Sequence, residues 1–177
     1  MDGNHPMKQC YALTDEVLHM VFDELYAQQV MLEGMILKPN MVLPGLACPN
    51  QETVDEVADA TVKCLLQAVP AAVPGIAFLS GGQSGELASA RLNAMNVRFR
   101  KRLPWALAFS FARAIQQPAM EIWRGQEGRV HLAQEALFYR AKCNRMARRG
   151  EYPAAMEENC TESASRCDSP SNLVSTS

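Results

Sequence analysis

Three positions in the chain put chemically capable groups where a short apolar run stops. Lys38 follows Met35-Ile36-Leu37 and precedes Pro39-Asn40. An amine at the mouth of an apolar segment can lose part of its hydration, which lowers its pKa and leaves it nucleophilic toward a carbonyl. The alternative is a solvated loop lysine. Ser80-Gly81-Gly82 follows Phe78-Leu79 and leads into Gln83-Ser84. Two glycines let backbone N–H groups approach an anion and Ser84 can cap a helix behind them, so the segment is either a phosphate cradle or a plain flexible turn. Arg113 comes just after Ser110-Phe111-Ala112. There it is either a surface arginine or, beside the free N–H groups of a helix start, a phosphate ligand. Two anion-binding ends beside an amine together point to a phosphorylated carbonyl substrate.

The remaining polar groups suggest less. The six cysteines (Cys10, Cys48, Cys64, Cys143, Cys160 and Cys167) contain no C-x-x-C pair, and His5, His19 and His131 stand apart from them and from one another. No metal site is expected from such spacing; reduced, mostly buried thiols are, with Cys160 and Cys167 exposed. The basic stretch Arg98 to Arg102 holds one aromatic, Phe99, and reads as a solvated turn, not a nucleic-acid patch. Most methionines fall on core-facing positions. Neither G-x-G-x-x-G nor G-x-x-x-x-G-K-[ST] occurs.

Elements that could hold those groups follow from periodicity. Val17, Leu18, Val21, Phe22, Leu25 and Tyr26 recur at helical spacing behind Thr14 as a candidate N-cap. Met31 to Leu37 reads as a buried strand stopped by Pro39. Thr53-Val54-Asp55-Glu56 is a capping-box pattern, followed by a face of Val57, Thr61, Cys64, Leu65 and Ala68. Residues 74–79 form a second strand, followed by a helix with Leu87, Ala88, Leu92 and Met95. Residues 104–109 form a third strand, with a helix opening at Ser110-Phe111-Ala112-Arg113. A long helix from about Glu127 ends on Arg145, Arg148 and Arg149 at its negative pole, with Gly150 beyond. Apolar strands each followed by a helix predict an α/β fold with a parallel sheet covered on both faces. In such folds ligands gather at the carboxyl ends of the strands.

Composition bounds the rest. The chain has 177 residues, 48% hydrophobic and 20% charged, with a formal net charge of −2. That suits one soluble domain, with no expected partner among nucleic acids or membranes. No stretch suggests a membrane span or a secretory signal, so the expected compartment is the cytoplasm.

The segments Leu32-Glu33-Gly34-Met35-Ile36-Leu37-Lys38-Pro39-Asn40-Met41-Val42, Phe78-Leu79-Ser80-Gly81-Gly82-Gln83-Ser84, Leu92-Asn93-Ala94-Met95-Asn96 and Pro104-Trp105-Ala106-Leu107 strongly resemble class I fructose-bisphosphate aldolase. The resemblance runs from about Asp2 to Tyr152 and is closer to the bacterial members than to the animal ones. It implies a TIM (β/α)8-barrel of about 250 residues, of which residues 1–150 represent the carboxyl-terminal half. That is a partial barrel of about three parallel strands plus helices, with 151–177 a disordered polar tail.

The implied function is a glycolytic lyase, without cofactor or metal, that cleaves fructose 1,6-bisphosphate to dihydroxyacetone phosphate and glyceraldehyde 3-phosphate. Lys38 matches the family's Schiff-base lysine. Ser80, Gly81 and Gly82, with Ser110 and Arg113, match the ligands of the ketose-side phosphate. The full-length family is expected to form homo-oligomers. Ala112 stands where many members have glycine, and Ser175-Thr176-Ser177 lacks the terminal tyrosine of animal members. The family's acidic pair, a second active-site lysine and an aspartate have no counterpart in this chain. The alternative is therefore a non-catalytic half-barrel that at most binds sugar phosphates or a partner chain.

Overall fold

The computed structural model describes residues 2–153. Helix α1 (Met7–Ala27) leads through a single 3-10 turn at Leu32–Gly34 to strand β1 (Ile36–Leu37). Then follow α2 (Val54–Ala68), β2 (Gly75–Phe78), α3 (Gly85–Arg98), β3 (Ala106–Phe109), α4 (Arg113–Trp123) and, after a 3-10 turn at Glu127–Arg129, α5 (Val130–Arg149). The three strands form one sheet in the order β1-β2-β3, parallel throughout. Gly75 pairs with Ile36 on one side and Ala106 on the other.

Helix α2 starts as its sequence predicts. The Thr53 hydroxyl accepts from the Glu56 N–H at 3.3 Å, and the Glu56 carboxylate takes the Thr53 N–H at 2.8 Å. Val57, Thr61, Cys64, Leu65 and Ala68 are all buried, and the Thr61 hydroxyl accepts the Val42 N–H at 2.9 Å. Helix α2 lies between α1 and α3, while α5 packs on both α3 and α4. Ile76, Phe78, Leu92 and Met95 are almost wholly buried members of the core. Gly150 closes α5 with φ +71°, and its N–H reaches the Ala147 carbonyl.

Several sequence expectations need correction. Helix α1 begins at Met7 behind Pro6, not at Thr14. Proline is compatible with the extended backbone before a helix, and Thr14 merely rides inside it. Leu18 and Phe22 face the core, whereas Val17, Val21 and Tyr26 are exposed. In α3, Ala88, Leu92 and Met95 are buried but Leu87 is exposed. Helix α4 starts at Arg113, not at Ser110. The sheet is covered on both faces only at β2; Ile36 of β1 is 60% exposed. Both outer strands have a free edge among the described residues, which explains the difference. Met41 and Met95 are buried, yet Met20, Met31 and Met120 are exposed. Cys64 and Cys143 are buried and Cys10 and Cys48 only partly so; Cys160 and Cys167 lie outside the described residues.

The chain stays packed two residues beyond the boundary expected at 150. Tyr152 is buried, and its N–H donates to Asn93 Oδ1 at 3.0 Å. The polar segment predicted after it lies outside the described residues. At the other end, the Gly45 N–H donates to the His5 carbonyl at 2.8 Å and the Ala47 N–H to the Gly3 carbonyl at 2.9 Å. A β-carbon on Gly45 would lie 2.2 Å from the Gly3 carbonyl oxygen, so glycine is required there.

Candidate active site

The backbone ladder continues past the strand ends and aligns the three candidate segments. The Leu79 N–H donates to the Pro39 carbonyl at 3.0 Å, placing the residue before Ser80 beside the residue after Lys38. The Ser110 N–H donates to the Phe78 carbonyl at 2.7 Å. Lys38, Ser80 and Ser110 therefore all leave the sheet at its carboxyl end.

Lys38 is exposed, not partly buried as its apolar context suggested. Its strand is two residues long and lies at the sheet edge, so little surrounds the side chain. Gly81 and Gly82 have φ of +60° and +82°, successive left-handed conformations that curl the backbone into a concave turn. Ser84 caps α3 as expected, its hydroxyl accepting the Leu87 N–H at 3.2 Å. Arg113 is the first residue of α4, and its Nη2 lies 3.8 Å from where a Gly82 β-carbon would stand. The structure thus brings the guanidinium to the glycine turn. An anion there would meet the exposed Arg113 guanidinium and the positive pole of an eleven-residue helix. Leu46 closes the other side, 3.3 Å from the same β-carbon position.

Two further residues escaped the sequence reading. Gln83 and Arg91 are buried under the turn. Gln83 Nε2 donates to the Ser80 carbonyl at 2.7 Å, and Arg91 Nη1 donates to Gln83 Oε1 at 2.8 Å. Burial pushes the Arg91 guanidinium below its ordinary pKa, while the charge of Glu52 acts the other way. The only signal available was Arg91's position between Ala88, Leu92 and Met95 on an inward-facing helix.

Arg98 is held by Asp55 and Asp59 at 2.9 and 2.7 Å, which occupies the first residue of the basic turn. His19 and His131 are exposed. Among the described residues no helix is long and apolar enough to cross a membrane, and no three His, Cys, Asp or Glu residues cluster as a metal site.

A family model for class-I fructose-bisphosphate aldolase matches residues 1–169. The chain belongs to the class I aldolase family. Human fructose-bisphosphate aldolase C is 48% identical over 157 residues, covering 89% of this chain and 43% of the human protein. A probable class 1 aldolase of Xylella fastidiosa (strain Temecula1) is 48% identical over 153 residues, covering 86% and 45%. Similarity therefore favours neither the bacterial nor the animal aldolases. The fructose-bisphosphate aldolase of Plasmodium falciparum, solved in complex with TRAP and a small molecule inhibitor, superposes with a TM-score of 0.81 at 43% identity, over 86% of this chain and 43% of that one. The fold is a partial aldolase barrel, and the chain spans less than half the length of these relatives.

Proposed function

We propose that this chain carries the imine-forming and phosphate-binding part of a class I aldolase acting on fructose 1,6-bisphosphate. The observation that supports it most is the approach of Arg113 to Gly82 at the strand end next to Lys38. Lys38 Nζ attacks the ketose carbonyl carbon, and loss of water leaves an iminium. The electron pair of the bond between carbons 3 and 4 moves into that iminium to give an enamine, as the hydroxyl proton on carbon 4 leaves to a base. Glyceraldehyde 3-phosphate departs; protonation of the enamine and hydrolysis release dihydroxyacetone phosphate and the free amine. Ser80, Gly81, Gly82, Ser110 and Arg113 hold the ketose-side phosphate and keep the carbonyl at the amine. As parts of the same reading, the protein works in the cytoplasm, its whole form is a homo-oligomer, and residues 1–150 are the barrel portion with 151–177 a polar tail.

A second reading rests on the edges of β1 and β3, free among the described residues, and on the coverage of less than half of each relative. Under it the 177 residues bind sugar phosphate but do not cleave. Borohydride reduction in the presence of dihydroxyacetone phosphate, followed by peptide mass analysis, tests the shared step. An adduct on Lys38 that disappears in Lys38→Met supports it, and no adduct sinks it. A coupled cleavage assay on the same preparation separates the two readings.

A further inference from the structure

We propose that Gln83, locked in orientation by Arg91, is the positioning residue that shapes the anion turn and ties it to the segment carrying Lys38. The inference rests on the reading that the turn binds phosphate.

The argument begins with what each group can donate. A guanidinium only donates, so Arg91 Nη1 at 2.8 Å forces the oxygen end of the Gln83 amide toward itself. The two amide protons then face the other way. One meets the Ser80 carbonyl at 2.7 Å, and the other lies toward Met41 Sδ at 3.7 Å. Met41 follows Lys38-Pro39-Asn40, so a single side chain joins the loop after β1 to the loop after β2.

The Ser80 carbonyl also accepts the Gln83 backbone N–H, at 3.2 Å. Two donors from one residue turn that carbonyl into the protein. In a trans peptide the C=O and the following N–H point in opposite directions. Turning the Ser80 carbonyl toward buried Gln83 therefore aims the Gly81 N–H outward, away from the core. Nothing in a pair of glycines would choose this conformation, since both φ signs are open to them; the brace chooses it.

Ser80, Gln83 and Arg91 are 5%, 8% and 5% exposed. Arg91 Nε and Glu52 Oε2 are buried without a hydrogen-bond partner among the described residues. Such an arrangement is costly to keep as mere filling. It makes sense if the guanidinium is retained to orient the glutamine.

The test uses the 177-residue chain and two variants. Gln83→Met with Arg91→Met removes both polar partners together, leaving neither orphaned. Gln83→Glu keeps an acceptor for Arg91 but cannot donate to Ser80. In the ligand-free protein both should exchange the backbone amide proton of residue 83, which donates to the Ser80 carbonyl, at least tenfold faster than wild type, with α2 amides unchanged. Inorganic phosphate should bind at least tenfold more weakly. Equal exchange in wild type and variants overturns the brace, whatever phosphate does. A wild type showing no phosphate-induced shift at Gly81, Gly82 or Arg113 overturns the phosphate reading, independently of the variants. In wild type alone, the Gln83 side-chain amide should exchange as slowly as buried backbone amides; fast exchange there overturns the brace even if neither variant folds.

Discussion

Lys38 is a candidate because of where it stands, not because it is buried. Its neighbours in sequence predicted an apolar mouth, but an edge strand of two residues cannot supply one. The contrast is Cys64, which burial chiefly, and the charges of Asp15 and Cys10 secondarily, push up to about 12. A thiol held protonated is a poor nucleophile. Alkylation of the native chain at pH 8 should therefore label Cys10 and Cys48 and spare Cys64 and Cys143. The same shift carries a stability consequence. The unfolded chain gives up this proton near its ordinary value of about 9, while the folded chain keeps it to about 12. Stability is thus intact below pH 9 and declines as the pH rises toward 12. Urea midpoints of wild type should fall more steeply over that window than those of Cys64→Ala.

At the scale of elements, α3 and α4 meet through an absent side chain. A β-carbon on Gly85 would lie 2.8 Å from the Ala114 carbonyl oxygen and 3.0 Å from Arg140 Nε. Pro118 has no N–H to offer that carbonyl from the next turn, so the backbone of α4 is left open to close approach. Alanine at position 85 gains up to about 1 kcal/mol of helix propensity. It must also displace a backbone atom, and overpacking of that kind costs about 1–3 kcal/mol. Gly85→Ala should be destabilised on balance, visible as a lower urea midpoint. How much of this was legible in the sequence differs by element. The Thr53 capping box, the Gly150 stop and the β2 strand carry local signals, and they lie where expected. The start of α1 was misplaced because Thr14-Asp15-Glu16 imitates a cap inside a helix begun by Pro6. Arg91 was missed because a polar residue in a helical pattern reads as solvent-facing, and Gln83 because a polar residue in a turn reads the same way, until the bond between them is known.

At the scale of the whole molecule, the central strand is buried while each outer strand, among the described residues, has a sheet neighbour on one side only. An exposed edge with an apolar face invites association. Produced as these 177 residues, the chain should bind hydrophobic dyes and elute in size-exclusion chromatography at a mass that rises with concentration. Ile36→Lys, which puts a charge on the β1 edge at a residue 60% exposed, should reduce both effects. Unchanged elution would show that association, if present, uses another surface.

The pairing of residues 3–5 with the loop at 45–47 gives the opening of the chain an unexpected reach. Leu46, at the centre of that loop, lies beside the glycine turn, so the first residues brace a loop that borders the proposed phosphate site. A tag, a protease cut or a chemical label placed there is not a neutral handle. It acts on the loop whose Leu46 lies beside Gly82, and under the proposed reading phosphate affinity, before fold, is the property in which such a change registers.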